Sequence, residues 1–214
     1  MIVSIVSLTA HGADEVCVSF SISNGSDTQS ERLVIAAATV ADLRLSVGDC
    51  NEDCFDAVLS AARRYEATKR GLSMLFFGRY SPKALVGKLV QKGIARDVAT
   101  EAVKDLIRRG YLNPCADAYA EANACVAKGW GRMRISSSLY EKGYSAMAVR
   151  EALERLEEDG VDYAEACAAL IQRRFPDRPT DARERAKMYA ALARYGYSSS
   201  DIREAYRLLD ETKK

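Results

Sequence analysis

The stretch Ser81-Pro82-Lys83-Ala84-Leu85-Val86-Gly87-Lys88-Leu89-Val90-Gln91-Lys92-Gly93 reads as one short helix with both its start and its stop spelled out. Serine is a preferred N-cap, and proline is favoured at the first helical position because its missing N–H is one the helix cannot pair anyway. Leu85 and Leu89 share a face, and Gly93 holds the position of a C′ residue that ends a helix in the left-handed conformation. The same pattern returns twice, about fifty residues apart each time. Leu139 and Leu192 fall four residues before Gly143 and Gly196, as Leu89 does before Gly93, and Ile135 and Met188 take the place of Leu85. Ala102, Ala152 and Ala205 follow the glycines by nine residues, and Leu106, Leu156 and Leu209 by thirteen. Each unit is therefore expected to be a helix–turn–helix pair with one supporting helix, and Ser198-x-x-Asp201 adds a capping box to the third.

A trihelical unit of this size buries too little surface to be well stabilised alone, whereas stacked copies extend one core. The expected product is an elongated, curved array of tandem three-helix repeats. Its long face suits a filament, a groove or a nucleic acid better than a small-molecule pocket.

Working outward, Ala, Leu, Arg, Lys and Glu crowd the chain from Asp53 to its end, which predicts helix throughout. Phe55, Val58, Leu59 and Ala62 form one apolar face; Leu72, Leu75 and Phe76 form another, ending at Gly78. Upstream the character differs. Ile2, Ile5, Val16, Val18, Phe20 and Ile22 sit among serines and threonines with period-two alternation, Asn24-Gly25 supplies a tight hairpin turn, and Arg32–Ala37 offers a returning arm before a turn at Val47-Gly48-Asp49. The fold class expected is mostly α with a small N-terminal β-rich segment. Its parts are residues 1–52 as that acidic segment, 53–113 as the first repeat with a leading helix, 114–162 as the second repeat, and 163–214 as the third.

The 214 residues carry 31 basic and 30 acidic side chains, a net charge of +1 that hides a split. Residues 1–60 hold two basic and nine acidic groups, whereas 61–113 hold twelve basic and four acidic ones. The next two regions are nearly balanced, at −2 over 114–160 and +2 over 161–214. The first repeat is thus the positive patch. Lys88 and Lys92 are four apart, as are Lys104 and Arg108, opposite the Leu85/Leu89 and Ala102/Leu106 stripes. With Arg79, Lys83 and Arg109 they make a candidate partner-binding and nucleic-acid-binding set. A solvated helix surface is the alternative, and a scarcity of acidic partners speaks against it. A second cluster, Lys128-Gly129-Trp130-Gly131-Arg132-Met133-Arg134, adds Trp130, Arg132 and Arg134. Trp130 would stack on a base or enter a protein groove, or else wedge between repeats one and two as core.

Catalytic chemistry finds little support. The one histidine, His11, has no partner for a metal pair and reads as an exposed loop residue. Cys50 and Cys54 lack the further ligands zinc wants, while Cys115, Cys125 and Cys167 sit among alanines as apolar fillers. With Cys17 they are expected to be thiols. Phosphate loops and nucleophile elbows are missing, so no enzyme activity, cofactor or metal is expected. The longest mainly apolar run, Leu33–Val40, is far short of a membrane helix, and Met1–Val6 has no basic region of a secretory signal, so cytoplasm is the expected location.

The run Leu72-x-x-Leu75-x-x-Gly78-Arg79-Tyr80-Ser81-x-x-x-Leu85-x-x-x-Leu89-x-x-Lys92-Gly93 resembles the first repeat of the RecX family of regulatory proteins. Gly110-Tyr111-Leu112-Asn113, Tyr119-Ala120 and Gly129-x-Gly131-x-x-Arg134-Ile135-x-x-x-Leu139-x-x-Lys142-Gly143 are similar to the second. Lys187, Leu192, Arg194-Tyr195-Gly196-Tyr197 and Ile202 follow the third, so the likeness spans roughly residues 67–210. The chain departs from the family at Ala84 and Ser138, where members usually carry an acidic residue, and near Asn113-Pro114. The resemblance implies a cytoplasmic bacterial modulator of RecA that lies in the groove of the recombinase filament. It opposes filament growth, strand exchange and coprotease activity. No cofactor or membrane is needed, single-stranded DNA is touched secondarily, and a monomer is expected. Two other classes compete: a direct DNA-binding helix–turn–helix module acting without RecA, and a plain scaffold.

Overall fold

The computed structural model describes residues 2–25, 27–176 and 181–211. The chain packs as two compact units, Met1–Gly78 with Leu85–Leu112, and Arg79–Ala84 with Asn113–Lys214.

The first unit opens with β1 (Ile2–Ala10), β2 (Glu15–Asn24) and β3 (Asp27–Ala36), then α1 (Ala37–Asp42) and β4 (Gly48–Cys50). The four strands form an antiparallel sheet in the order β3-β2-β1-β4. As the alternation predicts, Val3, Ile5, Val18, Phe20 and Ile35 point to one buried face. The β2–β3 hairpin closes with Asn24 opposite Asp27, and Gly25 takes a φ of +73°. Across that buried face lies α2 (Glu52–Phe77), capped by the Asn51 side chain, which accepts from the Cys54 N–H at 2.9 Å. Phe55 meets Phe20 edge to face, with ring centroids 5.0 Å apart.

Three local expectations are corrected here. The returning arm is longer than Arg32–Ala37: it begins at Asp27, and Ala37 opens α1 instead. The Ala37 N–H still donates to the Asp14 carbonyl at 2.9 Å, in register with the β2–β3 ladder, and the chain turns helical from that residue. Gly48 and Asp49 are not a simple turn but part of β4, paired with Val3–Ile5. The stripe Leu72/Phe76 does not face a core; Phe76 and Phe77 are 85% and 84% exposed, and the second half of α2 buries Ala67 and Gly71. Gly71 has a packing reason, since a Cβ there would stand 2.8 Å from Leu106 Cδ1.

Two further helices complete the first repeat, α3 (Pro82–Gln91) and α4 (Arg96–Arg108). The second repeat is α5 (Pro114–Val126), α6 (Arg132–Glu141) and α7 (Ala146–Glu158); the third is α8 (Tyr163–Arg174), α9 (Ala182–Arg194) and α10 (Ser199–Glu211). In each, the outer two helices pack on one another, α2 on α4, α5 on α7 and α8 on α10. The expected register holds in space. Leu85, Leu89, Leu106 and their counterparts Ile135, Leu139, Leu156 and Met188, Leu192, Leu209 are all buried. Gly93, Gly143 and Gly196 have φ of +87°, +86° and +91°. Each donates to the carbonyl three residues back, and the next residue donates five back, as in Ile94 to Leu89, which is the paired bonding of a Schellman ending. Cys125 and Cys167 are buried fillers, and the six cysteines are free thiols. The capping box of α10 is complete: Ser198 N–H donates to Asp201 Oδ2 at 2.7 Å and Asp201 N–H to Ser198 Oγ at 3.1 Å.

Candidate nucleic-acid and partner interface

Ser81 sets the start of α3. Its Oγ accepts from the Ala84 N–H at 3.1 Å and donates to the Lys142 carbonyl at 2.5 Å, so the residue is fully buried although polar. Arg79 remains largely exposed, 3.9 Å from the Asp117 carboxylate. Burial raises the Asp117 carboxyl above its ordinary value, and the Arg79 charge works against that shift. Lys83 and Lys88 on α3, a helix without acidic residues, and Lys92 just past its end are exposed and make no ion pair among the described residues.

The cations of α4 are placed differently. Lys104 pairs with Glu101 at 2.8 Å, Arg109 with Asp105 at 2.7 Å, and Arg108 lies 3.5 Å from the same carboxylate. Acidic partners are therefore present on α4, at the i−3 and i−4 positions, contrary to the scarcity expected there. Such exposed pairs add little stability, but they neutralise this part of the patch. The Lys104 ammonium holds the Glu101 carboxyl below its usual range.

Trp130 is half-buried against the core of the second repeat. The Arg134 guanidinium sits 4.1 Å from its ring centre and 5.6 Å from that of Tyr195, and reaches the Arg194 carbonyl at 3.4 Å; Lys128 lies 5.5 Å from the Trp130 ring. Arg132 is paired with Glu157 at 2.8 Å. The wedge between repeats one and two is thus corrected: Trp130 packs on the core of its own repeat, and it is Arg134, stacked on its ring, that reaches the turn of repeat three. Backbone makes that junction. Gly131 N–H donates to the Tyr195 carbonyl at 2.8 Å, Met133 N–H to the Gly196 carbonyl at 3.0 Å, and Tyr197 Oη to the Gly129 carbonyl at 3.0 Å. Burial pushes the Tyr197 hydroxyl up to about 12.

The Ser81–Lys142 and Gly131–Tyr195 contacts are two versions of one joint, in which the start of a middle helix meets the glycine turn of the following repeat. Counting back from the glycines foreshadows it, since Ser81 and Gly131 both stand twelve residues before, at Gly93 and Gly143. The third helix of each repeat, the one a helix–turn–helix protein would lay in a DNA groove, is poorly suited to that task. Within its helical span α4 has three basic and three acidic residues, and α7 and α10 each have two basic and four acidic. His11 is exposed between β1 and β2, no cluster of three or more metal-ligating residues occurs among the described residues, and no helix among them is long and apolar enough to cross a membrane.

Comparison with known proteins gives concordant results. A family model described as RecX, third three-helix domain, matches residues 161–206. The regulatory protein RecX of Xanthomonas axonopodis pv. citri (strain 306) is 34% identical over 140 residues, covering 65% of this chain and 85% of that protein. The regulatory protein RecX of Stenotrophomonas maltophilia (strain K279a) is 29% identical over 146 residues, covering 68% and 88%. Among solved structures, the crystal structure of a regulatory protein RecX superposes with a TM-score of 0.73 at 18% identity over 96% of this chain and 99% of that one. The crystal structure of RecX from Lactobacillus salivarius gives 0.60 at 19% identity over 69% and 97%. At these identities the structural likeness is one of fold, and the first takes in most of the N-terminal sheet.

Proposed function

The chain belongs to the RecX family of regulatory proteins, and from that premise we propose that it binds the RecA filament in its groove and inhibits recombinase and coprotease activity, modulating DNA repair and recombination. The observation that carries this reading is the repeated joint. Ser81 on Lys142 and Gly131 on Tyr195 set the start of a middle helix on the next glycine turn at equivalent positions, and a repeating protein matches a repeating target. The protein acts by occupying surface that filament extension or strand exchange requires, without bond-making, as a cytoplasmic monomer with no cofactor. Its basic helix α3 places uncompensated charge beside the DNA strand inside the filament.

A direct helix–turn–helix reading has less support, because α7 and α10 carry more acidic than basic side chains. The deciding experiment adds purified protein to RecA on single-stranded DNA and follows DNA-dependent ATP hydrolysis and filament length. Inhibition at or below stoichiometric ratio is expected. Unchanged hydrolysis and unchanged lengths at excess protein sink the proposal.

A further inference from the structure

Three helix ends meet where the second repeat joins the third: α5 stops at Val126, α8 at Arg174 and α9 at Arg194. Four cations gather there. The Arg134 guanidinium lies 4.1 Å from the ring centre of Trp130 and 5.6 Å from that of Tyr195, Lys128 lies 5.5 Å from Trp130, and Arg174 lies 5.3 Å from Tyr195. Arg173 reaches the turn after α5, where its guanidinium stands 3.5 Å from the place a Cβ on Gly129 would take. None of the four has an ion pair among the described residues. Cations are favoured at helix C-termini by the dipole alone, yet three helix ends supply roughly half a negative charge each, about 1.5 together, against four positive charges. Ring faces attract cations without carrying net charge, so Trp130 and Tyr195 order the cations and leave them unneutralised. Like charges held this close repel, and the cluster is relieved when an anion joins it.

We propose that this cluster docks a carboxylate-bearing segment of a protein partner, with Arg173 and Arg174 forking onto its Asp or Glu side chains. The planar guanidinium matches a carboxylate with two parallel bonds, and arginine, tryptophan and tyrosine are the residues that dominate protein–protein hot spots. A nucleic-acid strand fits worse. Base stacking needs an open ring face, whereas Trp130 has Arg134 and Lys128 over its ring and packs against the core of the second repeat. The proposal deepens the reading above by giving the chemistry of the partner surface, and it rests on that reading in taking the partner to be a protein filament. Its first test therefore leaves RecA out.

The experiment titrates the full chain into a fluorescent octaglutamate peptide at low and at physiological salt, beside a thymidine oligonucleotide of equal charge, and follows thermal melting. The wild-type chain should bind the peptide, and bind it less well as salt rises. Arg173→Gln and Arg174→Gln should each raise the peptide's dissociation constant several-fold. Arg150→Gln, which removes the same charge from α7, should leave it unchanged. Arg173→Gln should also melt at or above the wild-type temperature, because Arg173 makes no ion pair among the described residues and its charge repels its neighbours. A purely structural arginine cannot weaken binding and spare stability together. No peptide binding at low salt overturns the proposal, as does wild-type affinity in both cluster variants. An equal loss in Arg150→Gln overturns it by showing the attraction to be diffuse. An oligonucleotide that loses as much affinity as the peptide in Arg173→Gln overturns it and assigns the cluster to nucleic acid. Where the wild type inhibits RecA, Arg173→Gln must inhibit less, and equal inhibition overturns the proposal too. A wild-type chain that binds the peptide as expected but leaves RecA unaffected counts against the function above and not against the cluster.

Discussion

Gly131 and Gly196 lie so close that a Cβ on Gly131 would stand 2.5 Å from the carbonyl carbon and oxygen of Gly196. The obstacle is backbone on both sides, fixed by the bonds from Gly131 to Tyr195 and from Met133 to Gly196, so no side chain can swing aside. Gly131→Ala is therefore expected to cost at least about 2 kcal/mol, the range of overpacked sites that force backbone shifts. Gly196→Ala should cost more, because its φ of +91° adds left-handed strain. Urea denaturation checks both, and wild-type midpoints would show that the junction yields.

The first joint depends on a side chain instead. Ser81 Oγ caps α3 and bonds the Lys142 carbonyl at the same time. Ser81→Ala removes a cap, worth about 1 kcal/mol, and takes a donor from the Lys142 carbonyl at a further cost of about 1 kcal/mol, the net worth of one hydrogen bond. Ser81→Thr keeps the hydroxyl and should retain most of that stability. Equal losses for the two variants in calorimetry would contradict the double role.

How much of this was legible beforehand follows from what each feature depends on. The glycines at 93, 143 and 196 announce three repeats because a helix ending in the left-handed conformation is a local requirement. β4 has no such local cause: Gly48–Cys50 is a strand because the edge of β1 at Val3–Ile5 accepts it, and three residues carry no periodicity. The charge of residues 61–113 misleads for a related reason. A regional sum has no geometry, while Glu101 and Asp105 offset two of the three charges of Lys104, Arg108 and Arg109 one helical turn away. Exposure of Phe76 and Phe77 was likewise hidden, since an i, i+4 apolar pair predicts a face but not a neighbour to cover it.

Those ion pairs leave α4 balanced in charge where α3 is basic. Lys104 and Arg108 already have carboxylate neighbours, so they displace fewer counterions on meeting a polyanion than Lys88 or Lys92. Charge-neutral exchange of the pair, Lys104→Glu with Glu101→Lys, should leave the salt dependence of oligonucleotide binding unchanged. A drop in slope equal to that of Lys88→Ala would return α4 to the contact face.

Arg79 and Asp117 allow a test by titration. Burial raises the Asp117 carboxyl above its ordinary 3.8, and the Arg79 guanidinium 3.9 Å away restrains the rise. A carboxyl raised in the folded state binds its proton more tightly there than in the unfolded chain. Its contribution to stability is therefore fully present below 3.8 and is lost as pH rises through the folded-state value. Arg79→Ala removes the restraining charge, so Asp117 should titrate at higher pH, and the variant should lose stability relative to wild type over a window extending upward from about pH 4. Carboxyl-carbon NMR follows the titration and urea melts at several pH values follow the stability. An unmoved Asp117 resonance in the variant would mean that Arg79 is too exposed to act on it, and its charge would then be free for a partner.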